Sequence, residues 1–593
     1  MAALFTTPKR NDTTAGTHVA EPDVRRRIGL AHGSWRRVTR RIVCGLACAL
    51  TVSSLLMPSV SLAAEWVKVG GNKYNTAASD EAGTWSWDGA DDLKLNNYNG
   101  GEIQAAGKLN VNYSGTNIVT AEWIESINVS HGTNENAELN IQGDEGGTLS
   151  VTSTEDAILT TGNINIDGAG SVNATSTGFD AINAGGDLAI KGSGNVNATG
   201  ASDGIRANGN ITIDDSGAVT ARATKDKGIG ADKNLTIKGG GTVEASSADG
   251  EALWSGGNIN ISDGSQVKAS SEKDAAVEAK GSLAVTNASL DASGVEYGVY
   301  AYKGVTLDHA TVMVRTSANG GQAIALITDG DDIVIKNGST VDAFAEGEVS
   351  AAFSTRNDRP NEKGGHIYIS DSVVKAIARY VENGDGPIPY SENQDGETRR
   401  EPQGENIGII AQTSEGVTPA VISIIRSKVT AEGDTAAIFA RAMSADGKTI
   451  GTIKIENAAI QTPEGGKVID YRKLRDGIYE AGQAIGTGDA TVDSLYIKAV
   501  AKSTTIAPPE VAKPEDPKPD ETKPAESKPA ESKQNPKPEG SKPTKAVAAS
   551  TTKAKTTGVL AATGDTSGAA IVATVLAGTA AIAAGTMASR KRS

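Results

Sequence analysis

Residues Asn163 to Gly304 read NINIDGAGSVNATSTGFDAINAGG, DLAIKGSGNVNATGASDGIRANG, NITIDDSGAVTARATKDKGIGADK, NLTIKGGGTVEASSADGEALWSGG, NINISDGSQVKASSEKDAAVEAKG and SLAVTNASLDASGVEYGVYAYKG. One unit is repeated six times, starting at Asn163, Asp187, Asn210, Asn234, Asn258 and Ser282, with a period of 23–24 residues. A fixed period in this range marks a solenoid or array. Each unit holds three short segments of alternating character, separated by Gly, Asp, Asn and Ser, which is the pattern of strands between turns. In the first segment the aliphatic pairs are Ile164/Ile166, Leu188/Ile190, Ile211/Ile213, Leu235/Ile237, Ile259/Ile261 and Leu283/Val285. In the second they are Val172/Ala174, Val196/Ala198, Val219/Ala221, Val243/Ala245 and Val267/Ala269. In the third they are Ile182/Ala184, Ile205/Ala207, Ile229/Ala231, Leu253/Ser255, Val277/Ala279 and Val299/Ala301. Helical spacing is absent and Gly recurs too often for helix. Leucine-rich repeats share the period, but their leucine spacing and helical segment are missing. The expected fold is all-β: a right-handed parallel β-helix of three strands per coil, each coil burying its aliphatics on its neighbours about 4.8 Å away.

Composition agrees. Only 4% of the 593 residues are aromatic and 69 are Gly, which suits thin coils rather than a globular core. Nine basic and three acidic residues precede Ala64, and three basic and one acidic follow Thr563. Without these, the formal charge of −15 becomes −23. Such a surface argues against nucleic acid as a partner.

Residues 1–63 have the form of a signal peptide. Arg25–Arg27, Arg36, Arg37, Arg40 and Arg41 precede an apolar run from Ile42 to Leu56. Ser61-Leu62-Ala63 then supplies small residues for cleavage between Ala63 and Ala64. Thr39-Arg40-Arg41-Ile42-Val43 is compatible with twin-arginine export, although arginines are ordinary in such leaders. Pro58 and the short apolar run speak against a retained membrane helix. The only cysteines, Cys44 and Cys48, lie in that run, so the processed chain is expected to have neither disulfide nor thiol chemistry.

Residues 64–135 are less regular and hold Trp66, Trp85, Trp87 and Trp123. A solenoid end needs covering, and large aromatics there are expected to form a cap; a small sugar-binding module is the competing reading. The strand rhythm begins with Leu109–Val111 and Ile127–Val129, and Leu139/Ile141 with Leu149/Val151 leads into the β-helix proper, assigned to residues 136–502. After Gly304 the expected inward residues are Val305/Leu307, Val312/Val314, Ile324/Leu326, Ile333/Ile335, Val341/Ala343, Ile367/Ile369 and Val373/Lys375. An insertion at about 380–406, rich in charge, Gly and Pro, is expected as a loop leaving one corner, where binding function often resides. Coils resume at Ile409, Ile422/Ile424, Ile438/Ala440 and Ile453/Ile455, and end in a C-terminal cap near Ala501. From 503 to 559 the chain is Pro-, Lys- and Glu-rich. It is expected to be a disordered stalk, up to about 170 Å long at about 3.1 Å per residue.

Leu560-Ala561-Ala562-Thr563-Gly564 follows, then an apolar run over 569–587 and Arg590-Lys591-Arg592. The run is just long enough for a membrane helix with its basic end inside. Motif, span and basic tail together resemble the cell-wall sorting signal of Gram-positive surface proteins. Its usual form is LPxTG; Ala561 in place of Pro resembles the LAxTG variant of high-GC Gram-positive bacteria. The resemblance implies that a sortase cysteine attacks the Thr563 carbonyl, releases Gly564 onward and passes Thr563 to a peptidoglycan amine. The precursor would be held transiently in the membrane and the product would be secreted and wall-bound. An uncleaved C-terminal anchor is the alternative.

The processed chain has three histidines, His131, His309 and His366, expected as separate surface residues. No Ser/His/Asp arrangement, metal-ligand spacing or phosphate loop occurs, and Lys238-Gly239-Gly240-Gly241 reads as a turn. The fold resembles that of pectate lyases and related polysaccharide-processing β-helices, in which clustered aspartates hold calcium or act as acid and base. The outward columns Asn165, Ala189, Thr212, Thr236, Asn260, Ala284 and Asn173, Asn197, Thr220, Glu244, Lys268 stack no carboxylates, so no catalytic residue is assigned. Asp329, Asp331 and Asp332, with Glu382-Asn383-Gly384-Asp385, are the calcium candidates; no other cofactor is expected. The third outward column holds Arg206, Trp254, Glu278, Tyr300 and Tyr302. Trp254 and Tyr300 lie two coils, or about 10 Å, apart, a spacing suited to stacking on sugar rings. The N-I-x-I…G-x-V-x-A rhythm also resembles bacterial β-helical carbohydrate-binding surface proteins, which implies a polysaccharide or host-glycan ligand. A polysaccharide lyase or hydrolase, and a protein-binding adhesin or passive coat protein, are the alternatives. Asn163, Asn210, Asn234 and Asn258 recur at one corner and are expected to form a hydrogen-bonded ladder.

Overall fold

The computed structural model describes residues 63–122, 127–130, 137–318, 321–357, 365–381, 391–392, 398–399, 405–414, 417–445, 447–475, 478–489, 491–492 and 498–509. The chain separates into two units, residues 1–512 and 513–593, and only the first contains described residues. That first unit is a three-sheet parallel β-helix in which strands step by three from coil to coil. One coil runs Asn163–Gly168, Ser171–Ser176 and Ile182–Ala184; the next runs Leu188–Lys191, Val196–Gly200 and Ile205–Ala207. Ile164 pairs with Leu188, Val172 with Val196 and Ile182 with Ile205, all in parallel register. The inward residues of successive coils therefore stack like on like and are buried.

The corner after the first sheet has one backbone shape throughout. Gly168, Gly192, Asp215, Gly239, Asp263, Asn287, His309, Asn337, Asp371, Arg426 and Asn457 all have φ between +46° and +99° there. This is the left-handed region, open to Gly and tolerated by Asn and Asp, which accounts for most occupants. The opposite corner carries the expected ladder. Asn163 Oδ1 accepts the Asp187 N–H at 2.8 Å, Asp187 Oδ1 that of Asn210 at 2.7 Å, and Asn210 Oδ1 that of Asn234 at 3.2 Å. Asn234 Oδ1 accepts the Asn258 N–H and Asn258 Oδ1 the Ser282 N–H, each at 2.9 Å. Each side chain thus satisfies a backbone donor that the sheets leave over.

Antiparallel segments close both ends. Val67–Val69 lies antiparallel to Asn72–Tyr74 and to Ile103–Ala106, and Trp85–Trp87 antiparallel to Ala78–Ser79 and Asp92–Asn96. Trp85 and Trp87 are buried, and Trp66 is half-buried with Lys73 Nζ 4.2 Å from its ring centre; Trp123 lies outside the described residues. At the other end Ile478–Gly486 runs antiparallel to Ala436–Ser444. Ser503–Ala507 runs antiparallel to both Lys428–Gly433 and Ala459–Thr462. This last strand corrects the expected start of the stalk. Thr504 and Ile506 alternate inward and are fully buried, so the body extends beyond residue 503.

Two inward assignments are also corrected. Val374 and Ala376, not Val373 and Lys375, face the core; Val373 is 49% exposed. A one-residue shift flips every side chain, and the observed register keeps the Lys375 charge in solvent. Ile324 points outward, packing with Ile327 and Tyr300, while Ala325 and Leu326 face in. The cause is a change in the third sheet. Its strands grow from three residues, as in Leu253–Ser255, to eight or nine in Gln322–Asp329, Val349–Asn357 and Ala436–Ser444, and wrap around a bend. Within the insertion, Ser391–Glu392 and Thr398–Arg399 form a short antiparallel pair; Glu382 and Asp385 lie outside the described residues. No helix long and apolar enough to cross a membrane occurs among the described residues, and the two apolar runs at 42–56 and 569–587 are outside them.

Gly192 tests the left-handed corner. Its φ is +81°, and a Cβ would lie 2.3 Å from the Gly168 carbonyl oxygen. Gly192→Val is expected to cost about 1–3 kcal/mol or more, read as a lowered denaturant midpoint. Asp215→Gly at the equivalent place one coil on should shift it little, and equal midpoints for both variants would refute the strained corner.

Candidate functional site

Parallel register brings the outward residues of the third sheet into one column: Asn183, Arg206, Gly230, Trp254, Glu278 and Tyr300. It continues through Ile327, Ser354, Ile410 and Phe439. The column is polar at its start, aromatic in the middle and apolar and buried beyond. Trp254, Tyr300 and Tyr302 sit at the transition.

Gly230 leaves room beside Trp254, and the Lys227 side chain fills it: a Cβ on Gly230 would be 2.8 Å from Lys227 Cδ. Lys227 Nζ lies 5.2 Å from the Trp254 ring centre and pairs with Asp226. Glu278 follows in the column, paired with Lys280. Lys280 also donates to Tyr302 Oη at 2.9 Å, with its Nζ 4.1 Å from that ring's centre. Tyr302 stacks on Tyr300 at 4.5 Å and 15°, and Tyr300 leans on Tyr297 at 4.9 Å. These contacts correct one expectation. Tyr300 is only 8% exposed, enclosed between two rings, with its hydroxyl 3.4 Å from Asp329 Oδ2. Trp254 and Tyr302 are half-buried. The arrangement is a strip of aromatic faces flanked by ammonium and carboxylate groups, suited to an apolar ring face edged by hydroxyls.

A second feature escaped the sequence reading. Before the third strand, Asp156, Asp180 and Asp203 stack at one corner. Asp156 Oδ1 accepts the Asp180 N–H and Asp180 Oδ1 the Asp203 N–H, each at 2.9 Å, and Asp203 Oδ1 accepts the Lys227 N–H at 2.6 Å. The legible signal is an acidic residue directly before Ala-Ile, Gly-Ile or Ala-Leu, and Glu251 keeps that place two coils later. Burial, then the neighbouring Asp180 charge, pushes the Asp203 carboxyl up to about 6. Burial, then a hydrogen bond with Glu278, pushes Glu251 up to about 7.

The calcium candidates do not converge. Asp329 Oδ1 is engaged by Arg356 Nε at 3.1 Å and Asp332 Oδ1 by the His366 N–H at 2.9 Å, while Asp331 is exposed. Among the described residues, the group of three or more His, Cys, Asp or Glu side chains whose ligand atoms all lie within 4.8 Å of one another is Asp88, Asp91 and Asp92. There Asp88 Oδ1 holds the Ala90 and Asp92 N–H groups and Asp92 Oδ1 accepts from Asn110 Nδ2, so these oxygens serve a turn. His309 is exposed beside Asp308, but His366 is buried, against expectation, because its ring closes a backbone gap at a corner. His131 lies outside the described residues. At the expected signal cleavage, Ala63 makes a parallel bridge with Lys108, and Ala64 is buried. Leu560, Ala561, Ala562, Thr563 and Gly564 lie outside the described residues.

Glu251 gives a pH test. Its ordinary carboxyl value is 4.5 and its folded value about 7, so folding takes up a proton between these. The contribution favours the folded state below about pH 4.5 and is lost as pH rises through 7. Glu251→Gln should raise stability at pH 8 by on the order of 1–3 kcal/mol and change it little at pH 4.5, measured by denaturant unfolding at both. An equal effect at the two pH values would rule out the buried-acid account.

The chain matches no family, curated protein or solved structure with which it was compared.

Proposed function

We propose that this protein is a wall-anchored surface protein whose β-helix binds a polysaccharide or host glycan. The binding half of the reading is carried by one observation: Trp254 and Tyr302 are half-buried in the same stretch of outer sheet, each with a lysine against its ring, beside Glu278. Elsewhere the regular coils present mainly Asn, Thr and Ser, which coil stacking explains. Sugar rings offer apolar C–H faces to aromatic rings and hydroxyls to ammonium and carboxylate groups, so the strip matches them in both respects.

A hydrolytic role has one supporting observation, the Glu251–Glu278 carboxyl pair. Yet Glu278 is 8% exposed and held by Lys280, which leaves its oxygens little access to a glycosidic bond. Binding without turnover is the better reading. Trp254→Ala should weaken retention of the full chain on its glycan about tenfold, with no shortened or unsaturated products released. Retention on an oligosaccharide array that is unchanged by Trp254→Ala would remove the platform.

The anchoring half rests on Leu560–Gly564 with the apolar run and basic tail that follow. A sortase would act on the Thr563 carbonyl, with peptidoglycan as the acceptor. Thr563→Pro should move the protein from the muramidase-released wall fraction to the membrane fraction. Continued release with the wall fraction would show that the motif is not the attachment point.

A further inference from the structure

The ladder corner borders a groove whose other side is the outward column of the first sheet. Asn163, Asp187, Asn210, Asn234 and Asn258, with Asn165, Ala189, Thr212, Thr236 and Asn260 two residues further along each coil and Lys191 beside them, line a cavity of about 610 Å³. The same register runs on from Asn260 through Ala284, Thr306 and Val334 to Tyr368. There a second cavity, of about 470 Å³, is lined by Thr306, Asp331, Asp332, His366 and Tyr368. The coil between them contributes Ser282 and Ala284, both small. From Asn163 to His366 the corner extends about 38 Å at one coil per ~4.8 Å.

The far end is built around His366. Gly365, at φ +81° and tightly flanked by Asn357 and Thr413, sets its backbone. Its N–H donates to Asp332 Oδ1 at 2.9 Å, and its carbonyl accepts the Ile333 N–H at 2.9 Å. Its Nδ1 accepts the Val421 N–H at 3.1 Å. A backbone N–H can only donate, so the neutral ring carries its proton on Nε2. Among the described residues nothing accepts from Nε2, although the residue is 8% exposed and lines the cavity. Burial holds the ring below its ordinary value, which favours this neutral form. Tyr368, 37% exposed, stands edge-on to His366 at 5.8 Å. One donor, the adjacent carboxylates of Asp331 and Asp332, and one open aromatic face thus converge. The amide nitrogens of Asn163 and Asn258 likewise make no hydrogen bond among the described residues.

We propose that this corner groove binds a linear, uncharged polysaccharide along the solenoid axis, with Tyr368 and His366 receiving one sugar at its end. Each of these coils places at least one polar side chain on the groove, at a step comparable to the rise of one pyranose unit in an extended chain. Asp187, Asp331 and Asp332, set against the single lysine of the lining, Lys191, disfavour an anionic chain. The ligand class is that of the proposed glycan-binding function, but the site lies on a different sheet from Trp254, so the two can fail separately.

The test is calorimetric titration of the full chain with xylo-, manno- and cellohexaose, their trisaccharides, and oligogalacturonate as the anionic control. At least one neutral hexasaccharide should bind, with its trisaccharide about tenfold weaker and oligogalacturonate not retained. Tyr368→Ala should cost about tenfold. Thr236→Trp, which puts a bulky ring on an outward position without touching the core, should also lower affinity, with the circular dichroism unchanged. Thr220→Trp, the same ring on an outward position of the second sheet, should leave this binding intact. Absence of neutral-hexasaccharide binding, indifference to both Tyr368→Ala and Thr236→Trp, or an equal loss on Thr220→Trp would each overturn the groove; array retention through Trp254 is decided by its own variant.

Discussion

A parallel solenoid can stack only if every coil turns at the same places, because a coil that closes early or late puts its aliphatics out of line with those above and below. Here the left-handed corner after the first sheet sets that alignment. From Gly168 to Asn457 the residue following the first-sheet strand adopts positive φ, whatever else changes in the coil. The core columns, the ladders and the outward faces all inherit their register from it. The two side-chain ladders then deal with a cost of turning, since backbone donors at a corner lie outside the sheets. Asn258 and Asp180 do the same work at different corners, each supplying a carbonyl or carboxylate oxygen to the coil above.

Much of this was legible in the sequence because the repeat is close to strict between Asn163 and Gly304. Ile164, Val172 and Ile182 announce their faces by alternation, and the recurrence of Asn every 24 residues or so announces a ladder. Legibility failed where two faces carry the same chemistry. At Val373-Val374 both residues are apolar, and only the length of the preceding turn decides which faces in. In Gln322–Asp329 the five residues from Ala323 to Ile327 are all apolar because the strand is covered on both sides, so alternation disappears. Ser503–Ala507 was lost to its surroundings: five residues of weak alternation stand against a long Pro-rich stretch. The buried acids were missed for another reason. A carboxylate in a turn reads as solvated unless its backbone partner, one coil away, is known.

The third sheet divides the rod into two regimes. Over the early coils its three-residue strands leave a polar outer face in solvent. From Gln322–Asp329 onward, strands of eight or nine residues wrap a bend and bury that face under a second apolar cluster containing Ile327, Ile410 and Phe439. Trp254, Glu278 and Tyr302 lie where one regime gives way to the other. This explains how large aromatics can be held by packing on one side and remain half-open on the other. Regular coils supply a rigid lattice, and the change of coil length supplies the relief on its outer face.

Strand Ser503–Ala507 has a mechanical meaning. Any pull on the chain beyond residue 509 reaches the body through this strand, which is hydrogen-bonded on both flanks, to Lys428–Gly433 on one side and Ala459–Thr462 on the other. Tension directed along such a strand loads its two ladders together, in shear, instead of opening them one bond at a time like a zipper. Thr504 and Ile506, sealed beneath it, would have to be wetted in the same event. The last strand is therefore the bolt through which such tension would enter the body.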